Sequence, residues 1–533
     1  MPLSFQGSRR RSLRVGILDL VAGQPTKSLY ARITNPNRTS YMPQAIAVWA
    51  EQLGHTVHYL SYTGFEDLQR EIPRDLDVLF ISCFTQNAYA AYAISNLFRQ
   101  KGVVTVIGGP HARSYAEDSR RYFDYVLGLT DKELIRGLLD DPRPNPDEGQ
   151  LLAALRQPRE LPTVRERWKF IQINLAKTRF IRVVQMIGSL GCPYTCSFCI
   201  DSEIDYQPLP YEQIREDLAF LAAQPKPPMV GWYDPNFGVR FDQYLDLIES
   251  AVPPRRIAFG AESTLSLLTE EHVKRLKKNN FVIMLPGIES WFEFNGKSKQ
   301  GGNSGLDKVK SVADQVNMIL RHLPYVQTNH IFGLDNEEGP EPFELTKRFI
   351  DLAPGVYPNF NFITAFGNSA PLNRHYLSEG RVVDVPFPFL DGTSGLNVRP
   401  KNYSFADLYG NINELASYAH APRKIWERFK ANKHPLPKWM NLVRALFANQ
   451  GWNSNFGVMH KLLLTDPEFQ AFYGGGSSKP PSYYSKRVQS ALGPFHPYLP
   501  KQVLSYLEHG EQEPNPRLSV VLPTTPLPRV ASA

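Results

Sequence analysis

The stretch Gly191-Cys192-Pro193-Tyr194-Thr195-Cys196-Ser197-Phe198-Cys199 decides how this chain is read. It places three thiols at spacings of four and three, just after a run, Val183 to Ile187, that reads as a strand. Thiolates are soft ligands suited to iron–sulfur clusters and to zinc. Three on one tight loop can hold three irons of a cubane and leave the fourth iron open. Redox chemistry on a bound molecule needs that vacancy. The chain has 4 cysteines in all, and the remaining one, Cys83, lies far upstream. A structural zinc site closes with four ligands, commonly as two separated pairs. No second pair exists here, and no histidine sits in the loop. A two-cluster ferredoxin needs more cysteines, and a secreted disulfide framework would spread them along the chain. A cluster held by Cys192, Cys196 and Cys199 is therefore the expectation, with zinc or chance placement as the alternatives.

Downstream of the loop, strands are expected at Met229 to Tyr233, Arg256 to Phe259, Phe281 to Leu285, Gln327 to Phe332 and Phe360 to Ile363. Helices fit between them. The clearest follows Thr269, which can cap it. Glu270 and Glu271 stand in its first turn and Arg275, Lys277 and Lys278 come later, the charge order that the helix dipole favours. Six strands with intervening helices, over residues 181–389, describe a partial (β/α)6 barrel.

On these residues the chain resembles the radical S-adenosylmethionine superfamily. The loop matches its CxxxCxxC motif, including the aromatic Phe198 before the last cysteine, and stands after the first strand of a (β/α) region. The resemblance implies a 4Fe–4S cluster whose open iron is chelated by the amino and carboxylate groups of S-adenosylmethionine. One electron then cleaves the sulfonium and gives a 5′-deoxyadenosyl radical that abstracts hydrogen from unactivated carbon. It also implies cofactor-binding roles further along. Phe198 would give backbone contacts to the adenine. Tyr233-Asp234-Pro235-Asn236-Phe237 resembles a segment of cobalamin-associated members, which points to Asp234 and Asn236, although an Asp-Pro turn is the bland reading. Gly287-Ile288-Glu289-Ser290 resembles a Gly-x-Glu-Ser element, which points to Glu289 and Ser290. Gly333, in Gly333-Leu334-Asp335, would bring backbone close to the adenine. No catalytic side chain is assigned.

Upstream, residues 1–139 alternate strands and helices. Strands are expected at Arg14 to Leu20, Val57 to Leu60, Val78 to Cys83, Val103 to Ile107 and Tyr125 to Leu127. Continuous apolar strands between helices argue for a doubly wound parallel sheet covered on both faces. An α/β domain ahead of the radical core resembles the cobalamin-binding subgroup. The matching strand ends carry Ser82, Gly108, Gly109 and Gly128, small residues that let a nucleotide tail approach the backbone at the carboxyl edge. Two departures put cobalamin in question. There is no Asp-x-His-x-x-Gly element to give cobalt a lower histidine. The usual Gly-Glu-Gly-Glu is replaced by Gly128-Leu129-Thr130-Asp131. His111 reads as a surface loop residue and Cys83 as a small buried hydrophobe. If cobalamin binds, the leading reaction is methyl transfer to an unactivated carbon. The alternatives are a cobalamin-free radical rearrangement or cyclisation, and a non-catalytic iron–sulfur electron carrier.

The rest of the chain sets the frame. At 533 residues it is too long for one ordinary domain, and 42% hydrophobic content allows sizeable cores. The net charge of +7 is spread over interleaved acids and bases, without the basic stripe and stacking aromatics that nucleic-acid binding wants. Residues 140–180, opening on Asp141-Pro142-Arg143-Pro144-Asn145-Pro146, read as a linker. Residues 390–472 read as a helical C-terminal region, whose Trp426, Trp439 and Trp452 could roof a large or lipid-like substrate. Residues 473–533, rich in glycine and proline, read as a poorly ordered tail. Ser8-Arg9-Arg10-Arg11-Ser12-Leu13 has the form of a twin-arginine signal, but the apolar run after it is short and broken by Asp19. The expectation is a cytoplasmic protein with no membrane span, served by an electron donor such as flavodoxin or ferredoxin.

Overall fold

The computed structural model describes residues 11–178, 180–292, 304–450, 452–510 and 515–519. The start of the basic arm and the proline run Pro523 to Pro528 lie outside them. Two six-stranded sheets, every pairing within them parallel, organise the chain.

The first sheet comprises β1 (Arg14–Leu20), β2 (Thr56–Tyr62), β3 (Val78–Cys83), β4 (Val104–Gly108), β5 (Tyr125–Leu127) and β6 (Gln150–Leu152). Its order is β2-β1-β3-β4-β5-β6. The chain reverses direction of travel between β1 and β3, and ligands of open α/β sheets bind at such a point, outside the carboxyl ends of the strands. The central strands are buried along nearly their whole length, as their unbroken apolar runs require. Five strands were expected here. The sixth comes from the segment read as linker, too short to show a period, and is fixed to β5 by the register Tyr125↔Gln150. The same segment contains the helix Val164–Ala176, started by a capping box of Thr163 and Glu166.

The second sheet comprises β7 (Val183–Met186), β8 (Met229–Trp232), β9 (Phe259–Thr264), β10 (Phe281–Glu289), β11 (Tyr325–Phe332) and β12 (Tyr357–Phe362), adjacent in chain order. Helices join successive strands on one face. One of them, Glu270–Lys278, is capped by Thr269 as its sequence predicts. Strand β10 alternates buried with half-buried residues. One set packs under the helices, and the other (Ile283, Leu285, Gly287, Glu289) faces open space. Strand β9 starts later than the apolar pattern suggests. Arg256 is held in a turn by its N–H bond to Pro253 and by guanidinium bonds to the Ala222 and Gln224 carbonyls.

The region 390–472 is helical, from Phe405–Ala419 onward. From Gly474 to Gly510 the chain is not the loose tail its composition suggests. Helices Ser482–Leu492 and Lys501–His509 bury Tyr484, Val488, Val503 and Leu507. Their prolines, Pro481 and Pro500, occupy the position just before each helix, where a missing N–H costs nothing. Farther on, Arg517 is buried against Asp384. No described helix is long and apolar enough to cross a membrane.

Candidate active site

The three-cysteine loop leaves the carboxyl end of β7. Cys192 and Cys196 are buried and Cys199 is half-buried. The Cys199 N–H donates to the Cys196 carbonyl at 3.0 Å, which closes the loop into a tight turn. Gly191 enters it at φ +66°, and a Cβ there would meet the Asp205 carbonyl oxygen at 2.4 Å.

Asp234, at the end of β8, organises this entry. Its carboxylate accepts from the Gly188 N–H at 2.6 Å, the Ser189 N–H at 3.1 Å, the Ser189 hydroxyl at 2.9 Å and the Tyr244 hydroxyl at 2.6 Å. Burial pushes its pKa up against these four donors, which pull it down. The sequence suggested a cofactor contact; the structure puts both its oxygens to work holding the turn before the cysteines. On the other side, the Leu372 N–H donates to the Ser197 carbonyl at 2.9 Å. From the first sheet, Arg113 pairs with Asp201 at 3.1 Å. The loop is thus fixed by three separate parts of the chain.

The donor set fits a cluster better than a single ion. Among the described residues no three His, Cys, Asp or Glu side chains converge on one ion. A cubane takes one thiolate per iron, so three thiols on one loop suit it, whereas a structural zinc ion closes with four ligands. Cys83 is buried at the end of β3, where burial first and the Asp19 charge second push its thiol up, away from thiolate character.

A cavity of about 810 Å³ lies between the two sheets. On one side it is lined by Ser82, Gly108, Gly109 and Gly128, the small residues at the carboxyl edge of the first sheet. On the other it is lined by Trp232, Asp234 and Glu262 of the second. Gly191, Ile200 and Asp201, which flank the cysteines in sequence, also border it. Among the described residues no histidine lines it. His111, read as a surface residue, is fully buried instead. It bonds the Tyr92 hydroxyl at 2.7 Å, and burial pushes its pKa down to about 3.

A smaller cavity of about 190 Å³ adjoins the first and is lined by Asn236, Glu262, Gly287, Glu289 and Asn329, among others. Glu262 and Leu285 border both. Asn236 is shared between this wall and the fold, since its amide donates to the Thr264 hydroxyl at 2.7 Å. Glu289 stands at φ +62°, a conformation that a non-glycine residue keeps only when its surroundings hold it. Ser290 turns the other way, donating to Glu337 at 2.9 Å. Glu337 also accepts the Gly333 N–H at 2.9 Å, so Ser290 and Gly333 meet on one buried carboxyl and line neither cavity. Burial raises Glu337 to about 7. Lys308 donates to the Ser290 carbonyl at 2.7 Å, and burial lowers it to about 8. Phe198 is half-buried and packs on the core. Trp426 and Trp439 are exposed and roof neither cavity, and the Trp452 side chain lies outside the described residues.

Sequence reasoning missed Glu262, Lys308 and Glu337. Only Glu262 left a usable signal, a lone carboxylate within the apolar and small-residue strand Phe259–Thr264.

No family model matches the chain. In fold the chain is nevertheless similar to solved radical S-adenosylmethionine enzymes, some of them with cobalamin bound. The methyltransferase TsrM of Kitasatospora setae, in its structure with tryptophan substrate and the S-adenosylmethionine analogue aza-SAM, aligns with a TM-score of 0.54. That alignment covers 84% of this chain and 99% of TsrM at 13% identity. The cobalamin-dependent enzyme OxsB, with aqua-cobalamin bound, aligns at 0.53 over 93% of this chain and 81% of OxsB, at 12% identity. In sequence, the bacteriochlorophyllide d C-12(1)-methyltransferase of Chlorobaculum tepidum is 22% identical over 304 residues. The match covers 55% of this chain and 65% of that relative, just under two thirds of its length.

Proposed function

We propose that this chain is a cobalamin-dependent radical S-adenosylmethionine methyltransferase acting on an unactivated carbon of a large, mostly apolar small molecule. In this reading the first sheet is the cobalamin-binding domain and the second a partial (β/α)6 barrel. Cys192, Cys196 and Cys199 hold the 4Fe–4S cluster, with Asp234 positioning their loop. When bound, cluster, S-adenosylmethionine and corrinoid together supply a hydrogen-abstracting radical and a transferable methyl group. The chain's own contribution is placement and exclusion of water. Glu289 presents an acceptor in the smaller cavity, beside Asn236, for the amino or hydroxyl groups of S-adenosylmethionine. Ser82, Gly108, Gly109 and Gly128 leave the first sheet's carboxyl edge bare for a nucleotide tail. Glu262 stands where the two cavities meet and would touch the substrate.

The observation that carries this reading is that the two cavities adjoin, with Pro235, Glu262 and Leu285 in the wall of both. A ligand lying on the bare glycine edge faces the interior of the second sheet, beside the cysteine loop. The Chlorobaculum tepidum relative is named for a bacteriochlorophyllide and TsrM is described with tryptophan, so the relatives suggest ring-bearing substrates. A flavodoxin or ferredoxin would supply electrons in a reducing, cytoplasmic setting. The test is anaerobic purification followed by iron, sulfide and corrinoid analysis. Iron and sulfide in 4Fe–4S stoichiometry, with corrinoid retained or taken up, is expected. A cluster without any corrinoid uptake would move the reaction to the cobalamin-free class.

A further inference from the structure

Between Glu427 and Asp466 the chain has no carboxylate side chain, while Arg428, Lys430, Lys433, Lys438, Arg444 and Lys461 add six positive charges. Two of the six are taken up inside the fold. Arg428 is buried and donates to the Val356 and Ala419 carbonyls. Arg444 bonds Tyr325 and Gln327 and lies 4.1 Å from the Tyr357 ring centre. These contacts seat the helices Pro422–Ala431 and Pro435–Gln450 beneath the amino ends of β11 and β12. Lys430, Lys433 and Lys461 remain exposed.

The helix Pro435–Gln450 has two apolar faces rather than one. Ala445 points inward with Asn441. Trp439, Val443 and Leu446, at helical spacing on the outer face, are 58%, 40% and 53% exposed. Trp426, itself 54% exposed, stacks on Phe429 at 5.2 Å, and Phe429 meets Trp439 at 5.5 Å. The lysines flank these rings, Lys430 at 5.3 Å from Trp426 and Lys438 at 4.6 Å from Phe429. Of the 13 exposed large hydrophobic residues described, six fall between Trp426 and Leu464, so the exposure is concentrated and not scattered.

We propose that this face docks the protein on an anionic membrane surface. Tryptophans with lysines beside them and aliphatic side chains around them suit the headgroup boundary, where the rings enter the apolar layer and the lysines reach phosphates. A stretch free of carboxylates avoids repulsion from anionic lipid and gains attraction from it. Neither of the two cavities described above opens on this face. The inference is independent of the reaction assigned above.

The test uses the full chain with its cluster in flotation with vesicles of phosphatidylcholine, with and without about 30% phosphatidylglycerol. Binding to the anionic vesicles is expected, weakening as salt rises from about 0.05 to about 0.5 M. Trp439→Asp, and separately Lys430→Glu with Lys433→Glu, should each lower the bound fraction roughly tenfold or more. These side chains are exposed, so cluster absorption and circular dichroism should stay unchanged. Quenching of tryptophan emission by brominated lipid in the wild-type chain reads the same insertion without any variant. Equal behaviour on neutral and anionic vesicles, or no quenching, overturns the proposal. So does a dimer in sedimentation velocity that Trp439→Asp dissolves, because the face would then be covered by a second copy.

Discussion

Replacing Gly108 by leucine isolates the carboxyl edge of the first sheet as a corrinoid site. Gly108 ends β4 and lines the larger cavity. A Cβ built there meets only the Leu127 Cβ at 3.9 Å, an ordinary contact, so the rest of a leucine has the cavity to enter. The fold should tolerate the change. A glycine replaced at a compatible backbone position stabilises by about 0.4–1 kcal/mol through the unfolded chain, and the melting temperature should hold or rise. A ligand lying on that edge would instead be overpacked by about 1–3 kcal/mol, which is roughly 5- to 150-fold in affinity. Gly109→Leu makes the contrast. Gly109 has φ +93°, and its Cβ would stand 3.0 Å from the Ser82 hydroxyl oxygen and 3.2 Å from the Cys83 carbonyl oxygen. With ψ −172° this backbone lies in a region that essentially only glycine visits, at a cost of about 1–3 kcal/mol to a leucine, so this variant should lose stability as well as binding. The assay is hydroxocobalamin titration followed by absorption, with iron content and thermal melting on the same samples. Gly108→Leu should keep its iron and its melting temperature and lose corrinoid. Corrinoid binding as tight as the wild type's would refute the reasoning, because no ligand could then be resting on that edge.

Cys192→Ala, Cys196→Ala and Cys199→Ala should each remove the visible cluster absorption and the iron, whereas Cys83→Ala should keep both, since Cys83 is a buried core thiol. Asp234→Asn can keep an oxygen toward the Gly188 and Ser189 N–H groups but loses the charge and puts an NH2 where the carboxylate accepts from the Ser189 and Tyr244 hydroxyls; it should cost about 1–3 kcal/mol in denaturant melts and speed cluster loss in air. Glu337, raised by burial to about 7, keeps its proton in the folded chain while the unfolded chain releases it above about 4.5. Its contribution to stability therefore falls as pH rises from about 4.5 to about 7, by roughly 3 kcal/mol, and is flat beyond. Glu337→Gln should remove that part of the slope, as measured by urea melts of both proteins across this range.

The parts of the fold legible in the sequence are those whose signal is local. The cysteine loop is a contiguous motif, and the strands Val78–Cys83 and Tyr325–Phe332 are unbroken or alternating runs of the right length. Gly108, Gly109 and Gly128 could be placed at the carboxyl edge of the first sheet, where they line the larger cavity, because glycines at strand ends of a parallel sheet leave that edge open. What stayed hidden depends on three-dimensional meeting points. Glu337 and Lys308 are ordinary acid and base in sequence, and only the packing of β10 against β11 makes them converge on Ser290. Asp234 was recognisable as important, but its partners Gly188, Ser189 and Tyr244 lie on other elements, so its positioning role could not be read. The helices after Gly474 were obscured by composition, because a proline just before a helix counts the same as a proline in a loose tail.

In the proposed function the cysteine loop carries a cluster with an open iron that acts on S-adenosylmethionine. It is tested most directly by reducing the cluster-loaded protein anaerobically in the presence of S-adenosylmethionine and measuring 5′-deoxyadenosine by mass spectrometry. 5′-Deoxyadenosine should form only with reductant, should be abolished in Cys196→Ala, and should increase with a ring-bearing apolar substrate. An intact, reducible cluster that yields no 5′-deoxyadenosine under any of these conditions would contradict it and leave an electron carrier in its place.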